Sequence, residues 1–341
     1  MREKEGKQLK ILYVISGVAG MTGNELARQI TGTGHSVIGF DNYFASSQET
    51  IQDLLELSSF TFFKSDLTDD VDMKTLENYV QERKPNYEAV YYINCAAVVH
   101  TEYFYQVGDT FSTNVLGMKS FLDQAVRVGA EVYINCSTSE VYSMHSAEEG
   151  GVKEDCYISL ATAEHSQRTS YAVGKLMTEF FIKDAVDKGL IRGCSIRFAN
   201  VYSKNEKYPK HIIPHIITSL LEDGAVKLLN NAKTTKRTFL FNEDSCSAVL
   251  ALMNQKAALD GSAYNVATQE EIGILQLVQL IGSKVGVENP KIIFEGFRTA
   301  DPPQRILSTE KIKQSTGWCA KTTLENGLEQ CISVYRRKLG K

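Results

Sequence analysis

No apolar run in this chain approaches the roughly 18 residues that a membrane-spanning helix requires, so an integral membrane protein is not expected. Long blocks of Lys or Arg are missing too, and the net charge is −4, which removes the electrostatic footprint of a nucleic-acid or anionic-membrane binder. The first ten residues, MREKEGKQLK, carry charge where a secretory leader would be hydrophobic. The expected location is therefore the cytoplasm. There is no CxxC pair among the seven cysteines, and Cys95, Cys136 and Cys194 sit inside apolar runs. An odd set of thiols in such settings reads as buried free cysteine and not as a disulfide framework or zinc site, so no metal is expected. Internal repeats and low-complexity segments are absent as well. What remains is 341 residues, 43% of them apolar, enough for one large domain or two fused lobes with a substantial core.

Short runs rich in Val, Ile, Tyr and Phe recur at 11–15, 36–40, 60–64, 89–94, 131–136 and 193–197, with helix-like stretches at 24–32, 73–83, 114–128 and 171–188. Strand alternating with helix implies an α/β architecture, a doubly wound parallel sheet covered on both faces. The strands lack in/out alternation, as burial of both faces requires. After residue 200 the rhythm loosens into polar loops, helices near 212–221, 274–285 and 324–336, and an apolar run at 237–241. The expected organisation is a dinucleotide-binding domain over 1–200 and a smaller, interleaved α/β substrate lobe over 201–341. The polar stretch from Ser143 to Ser170 is long enough to be a loop over a site.

The stretch ISGVAGMTG joins the first apolar run to the first helix and spaces three glycines three apart. A helix opening near Met21 and Thr22 leaves its first amides unpaired, with roughly half a positive charge at that end, which attracts a pyrophosphate. Gly17 permits the tight turn, Gly20 lets phosphates approach the backbone, and Gly23 lets helix and strand pack closely. Asp41, followed by Asn42, ends the next strand, where a carboxylate can accept hydrogen bonds from the adenine ribose. A ribose phosphate about 4 Å from that charge would be repelled by roughly 4 kcal/mol at an effective dielectric near 20, so NAD is expected over NADP. The sheet is then of the Rossmann type.

Tyr171 and Lys175, in SYAVGK, lie four apart and so share one face of a helix. A tyrosine serving as base near neutral pH needs its pKa lowered by about three units, roughly 4 kcal/mol, which nearby cationic charge can supply. Taken alone, the pair reads by default as an exposed Tyr and Lys packed together, and only its context favours chemistry.

Together these motifs resemble the extended short-chain dehydrogenase/reductase superfamily, in particular its NAD-dependent nucleotide-sugar epimerase/dehydratase group, over nearly the whole chain. SGVAGMTG is similar to the glycine signature with Ser16 for threonine, and Asp66-Leu67 in KSDLTD to the adenine-contacting position. Ala96-Ala97 in NCAAVV matches the segment along the cofactor phosphates; TNVLG, with Asn114, is a further signature. STSEVY and YAVGK supply a Thr138, Tyr171 and Lys175 set, while RFANVYS, TKRTFLFNED, DPPQR and TGW match second-lobe motifs, Ser203 replacing a usual glycine.

The resemblance implies that Thr138 hydrogen-bonds the sugar C4 hydroxyl, that Tyr171 takes its proton as NAD accepts hydride, and that Lys175 holds the ribose and lowers the tyrosine pKa. Asn200, Arg237 and Arg298 would contact the nucleotide diphosphate, arginine suiting it by donating two bonds at once. Glu140 becomes the candidate base at C5, and Ser139, a substrate contact, replaces the aspartate that protonates the leaving hydroxyl in dTDP-glucose dehydratases. Thr-Ser-Glu also occurs in GDP-mannose dehydratases and UDP-glucuronate decarboxylases, so epimerisation, dehydration, decarboxylation and release of a 4-keto sugar stay open. His100 is a candidate sugar contact. Helices 114–128 and 171–188 would pair across a two-fold axis in a homodimer. A protein of this fold that senses NAD without chemistry is the competing class; it commonly lacks the tyrosine or the lysine.

Overall fold

The computed structural model describes residues 10–145, 150–299 and 301–341; residues 146–149 of the polar stretch and the charged leader lie outside them. The strands are β1 (Ile11–Ser16), β2 (Ser36–Asp41), β3 (Phe60–Lys64), β4 (Ala89–Asn94), β5 (Val132–Thr138), β6 (Arg192–Phe198), β7 (Asn200–Tyr202), β8 (Ala225–Leu228), β9 (Lys236–Phe241), β10 (Asp260–Val266), β11 (Glu271–Gly273), β12 (Lys291–Phe294) and β13 (Gln304–Arg305). Seven of them form one parallel sheet in the order β10-β6-β5-β4-β1-β2-β3. Order reverses between β1 and β4, and in such sheets ligands bind outside the carboxyl ends of the strands at that point. Every residue of β5 up to Ser137 is buried, which explains why its sequence shows no period of two.

Helices Met21–Gly32, Asp70–Arg83 and Thr169–Asp187 cover the sheet. Asp69 caps the second, its carboxylate accepting from the Val71 and Asp72 amides, while no side chain caps the first. The expected helix at 114–128 is instead a run from Val107 to Arg127 whose middle, Ser112–Gly117, is π-helical. Inside it Asn114 turns inward, accepting from the Val98 amide at 2.7 Å and donating to the Val98 carbonyl at 3.1 Å. A wider turn is a common way to aim a side chain out of helical register.

The second lobe packs helices Ile212–Asp223, Ile274–Val285 and Leu324–Leu339 around Ile216, Ile217, Leu277, Ile281 and Leu328, all fully buried. β9 carries β7, β11 and β13 beside it, and β8 pairs with β12. The chain then crosses back. Helix Asn242–Met253 packs on the first helix and β10 becomes the outer strand beside β6. The described part of the polar stretch is anchored: Ser143 pairs with Ser159 and Val152 with Leu307, which ties it to the segment just after β13.

Candidate active site

A cleft of about 1160 Å³ opens at the carboxyl ends of β1, β2, β4 and β5 and runs to the second lobe. At one end stands the glycine turn. Gly17 has φ +65° and packs so closely that a Cβ there would meet the Ala96 Cα at 2.7 Å. A Cβ on Gly23 would lie 2.4 Å from the Gly17 carbonyl oxygen, while Gly20 would meet that oxygen at 3.2 Å. Met21, Thr22, Ala96 and Ala97 share this wall. Asp41 closes it, accepting from the Ala19 amide at 3.1 Å, the Tyr43 amide at 2.8 Å and the Ser46 hydroxyl at 3.2 Å. Burial raises its pKa against those bonds. Asn42 donates to Asp66 at 2.8 Å, and Asp66 and Leu67 lie beside it on the cleft.

At the other end, β5 delivers Thr138 and the first turn of helix Thr169–Asp187 delivers Tyr171, and both line the cleft. The Tyr171 ring stacks on Phe104 with centroids 4.2 Å apart, which fixes its tilt. Here an expectation changes. Lys175 does not reach the cleft wall; its ammonium is buried and donates to the Cys136 carbonyl at 2.9 Å. Burial, with the Glu140 charge added, pushes the Tyr171 pKa up, and the Thr138 hydroxyl and Arg168 pull it back only partly. Tyr171 is therefore a neutral phenol near pH 7 in the chain alone. Asn114 is likewise off the cleft wall, spent on the Val98 backbone.

Glu140 also differs from an unengaged base. Its carboxylate lies 2.7 Å from Arg305 Nη1 and 3.2 Å from Arg168 Nη2. Burial would raise its pKa, but the two guanidinium charges win and hold it at about 2. Neither arginine follows from the glycine and tyrosine motifs: Arg305 stood unremarked inside DPPQR and Arg168 three residues ahead of Tyr171. The i,i+3 spacing was the available signal for Arg168.

The residues assigned to the diphosphate do gather on the cleft, as Asn200, Arg237 and Arg298 all line it. Arg237, however, already donates to Asp301 at 2.7 Å and to the Pro302 carbonyl at 2.8 Å. Arg298 is more open, its backbone clamped by Asn231 and its side chain 4.0 Å from Asp301. Asn200 donates to the Thr238 carbonyl at 3.0 Å, and Ser139 is buried on the same wall. His100 stacks on Tyr208, centroids 3.8 Å apart, so it faces the cleft as part of a contact between the lobes; burial lowers its pKa. No cluster of three or more metal-ligating side chains occurs among the described residues.

A dinucleotide cradle joined to a tyrosine–threonine pair in one cleft defines an oxidoreductase site on a Rossmann sheet. The profile of the NAD dependent epimerase/dehydratase family matches residues 13–267, and the chain belongs to that family. It is an enzyme, and its cofactor is NAD. Among curated relatives, UDP-glucuronic acid decarboxylase 1 of Arabidopsis thaliana is 25% identical over 98% of this chain and 71% of its own. Of solved structures, dTDP-glucose 4,6-dehydratase of Streptomyces venezuelae has a TM-score of 0.84 at 20% identity, covering 96% and 98%. UDP-glucuronic acid 4-epimerase of Bacillus cereus has 0.83 at 20%, covering 96% and 99%. The cradle fits the dinucleotide: Gly17 and Gly23 leave no room for a side chain, the helix start lacks a side-chain cap, and Asp41 lines the same end of the cleft.

Proposed function

We propose that the enzyme oxidises C4 of a nucleotide-diphosphate sugar and resolves the ketone in the same cleft. The observation that carries this reading is that Thr138 and Tyr171 line the same cleft as the glycine turn. NAD, when bound, supplies the two-electron oxidation and its reversal. Thr138 orients the C4 hydroxyl, Tyr171 exchanges its proton, and the Phe104 ring holds the phenol in place. Buried Lys175 fixes the end of β5 through Cys136 and acts as a positioning residue. Arg298 and Asn200, with Arg237 behind them, face the diphosphate.

Glu140 serves as the charge partner of two arginines and not as the base at C5, since a carboxylate held near pKa 2 is a weak proton acceptor. Ser139 offers no acid for a leaving hydroxyl. Among the possible outcomes, decarboxylation is the second reading we favour, because a 4-keto sugar acid loses CO2 without a base at C5: the C5–C6 bond breaks and its electron pair passes into the C4 ketone. C5 then takes a proton and C4 is reduced. The decarboxylase named among the relatives supports this route.

We assign residues 10–200, 242–267 and 310–318 to the NAD lobe and the other described residues to the substrate lobe, because β10, helix Asn242–Met253 and the segment carrying Ile312 and Trp318 pack on the large sheet. Phe111, Leu116, Val173, Met177 and Phe180 are exposed on two adjoining helices, and we infer a homodimer through that face. Phe180→Glu should shift light-scattering mass to the monomer; an unchanged dimer overturns the assignment. The seven cysteines form no disulfide among the described residues, which fits a cytoplasmic location.

Tyr171→Phe tests the central reading. Turnover of the sugar nucleotide should fall by roughly 10²- to 10⁴-fold with NAD still bound. Undiminished turnover would exclude Tyr171 from the chemistry.

A further inference from the structure

Around Glu140 the charges do not balance. Arg305 and Arg168 share this one carboxylate, at 2.7 and 3.2 Å. The other nearby cation, Arg237, has its own anion in Asp301. One positive charge is left over at the sugar end of the cleft, and Arg168 is the arginine on the cleft wall, whereas Arg305 stands behind it donating to the Ser143 carbonyl.

Arg168 has three marks of a group waiting for an anion. Its side chain is nine-tenths buried, its Nε has no hydrogen-bond partner among the described residues, and its guanidinium lies 5.6 Å from the Phe104 ring that also stacks on Tyr171. A buried guanidinium with an unpaired donor carries a desolvation penalty that an acceptor arriving from the cleft would offset. At the N-cap of the helix that carries Tyr171, it sits next to the phenol that meets C4. In a pyranose the substituent nearest C4 that can carry a negative charge is the group at C6.

We propose that Arg168 reads a carboxylate at C6, so that the substrate class is a nucleotide-linked hexuronic acid. The proposal rests on the reading of the cleft as a C4-oxidising site and adds to it the residue that selects the acid over the alcohol. Arg168 is a specificity residue, and its effect falls on binding. An ion pair to the carboxylate is strongest in the ground state and weakens as CO2 forms, so it lowers KM and does not raise kcat.

The test compares UDP-glucuronate with UDP-glucose, and glucuronate 1-phosphate with glucose 1-phosphate, on the NAD-loaded enzyme. Each pair differs only at C6. Wild type should bind the acid roughly 10- to 100-fold more tightly than the alcohol, as a charge-assisted bond to guanidinium warrants. Arg168→Met should erase that ratio, raising KM for the acid by a similar factor while kcat stays within a few-fold, and Arg168→Lys should restore part of it. Glu140→Gln should move the ratio the other way by removing the competing anion, which keeps the proposal exposed if the methionine variant does not fold. A ratio near one in wild type, or the same ratio in Arg168→Met, overturns the carboxylate assignment while C4 oxidation of the alcohol still stands. If none of the four compounds binds, the nucleotide-sugar reading falls, and this proposal with it.

Discussion

The two ends of the cleft are built by opposite strategies. The nucleotide end is one contiguous stretch, strand to turn to helix, with Gly17, Gly20 and Gly23 spaced by the covalent chain itself and Asp41 one strand away. The sugar end is assembled from β5, the loop ahead of Thr169, and the start of the second lobe's return at Arg305, so its ion pairs join residues 28 and 165 positions apart (140 to 168 and 140 to 305). A local cradle depends on backbone shape. A remote cluster depends on charge balance, and that is where substrate choice is free to vary without disturbing the cofactor.

The largest test of this contrast is steric. Gly23→Ala places a methyl 2.4 Å from the Gly17 carbonyl oxygen, backbone against backbone with no side chain to move aside. We expect a loss of several kcal/mol in stability, as for severe overpacking, together with loss of retained NAD, measured by denaturant unfolding and by cofactor content after purification. Gly20→Ala, at 3.2 Å, should fold and lose NAD affinity alone. If both alanine variants keep their NAD, the turn is a packing feature and not a phosphate cradle.

That division also sets what could be read from the sequence. The parallel sheet, six of its seven strands and the glycine turn were legible because each is specified by residues adjacent in the chain. β10 was not, since DGSAYNV has little apolar signal; it is held by Asn265, whose side chain accepts from the Tyr142 phenol at 2.6 Å and donates to the Val152 and Ser308 carbonyls. The π-helical segment was missed for a related reason: TNVLG looks helical, and only the need of Asn114 to reach Val98 widens the turn. At the active centre the identities of Thr138, Tyr171 and Glu140 were legible, but not the state of the last two. Burial of the phenol and the pairing of the carboxylate are properties of the assembled lobes.

A second test breaks the remote cluster and leaves the cradle alone. Arg305→Met removes the 2.7 Å partner of Glu140 and the donor to the Ser143 carbonyl, leaving a carboxylate with only Arg168. Loss of one member of such a pair costs about 3 kcal/mol. Sugar turnover should collapse while NAD content stays at the wild-type level, read by activity and by absorbance of the purified holoenzyme. Equal loss of NAD would show that the two ends are not separable.

The smallest effect is the dependence of that cluster on pH. Glu140 has a folded-state pKa of about 2, below the ordinary 4.5, so its ionisation stabilises the folded chain at every pH above roughly 4.5. As pH falls from there toward 2 the advantage drains away, because the folded state must take up the same proton later than the unfolded one. A quarter of the side chain faces the cleft, which trims the contribution to about 2 kcal/mol. Unfolding free energies of wild type and Glu140→Gln should therefore differ most near neutrality and converge between pH 4.5 and 2, other acid-sensitive groups cancelling in the difference. A gap that stays flat through that window would mean the carboxylate is not held by its arginines, and the leftover positive charge at the sugar end would have to be counted again.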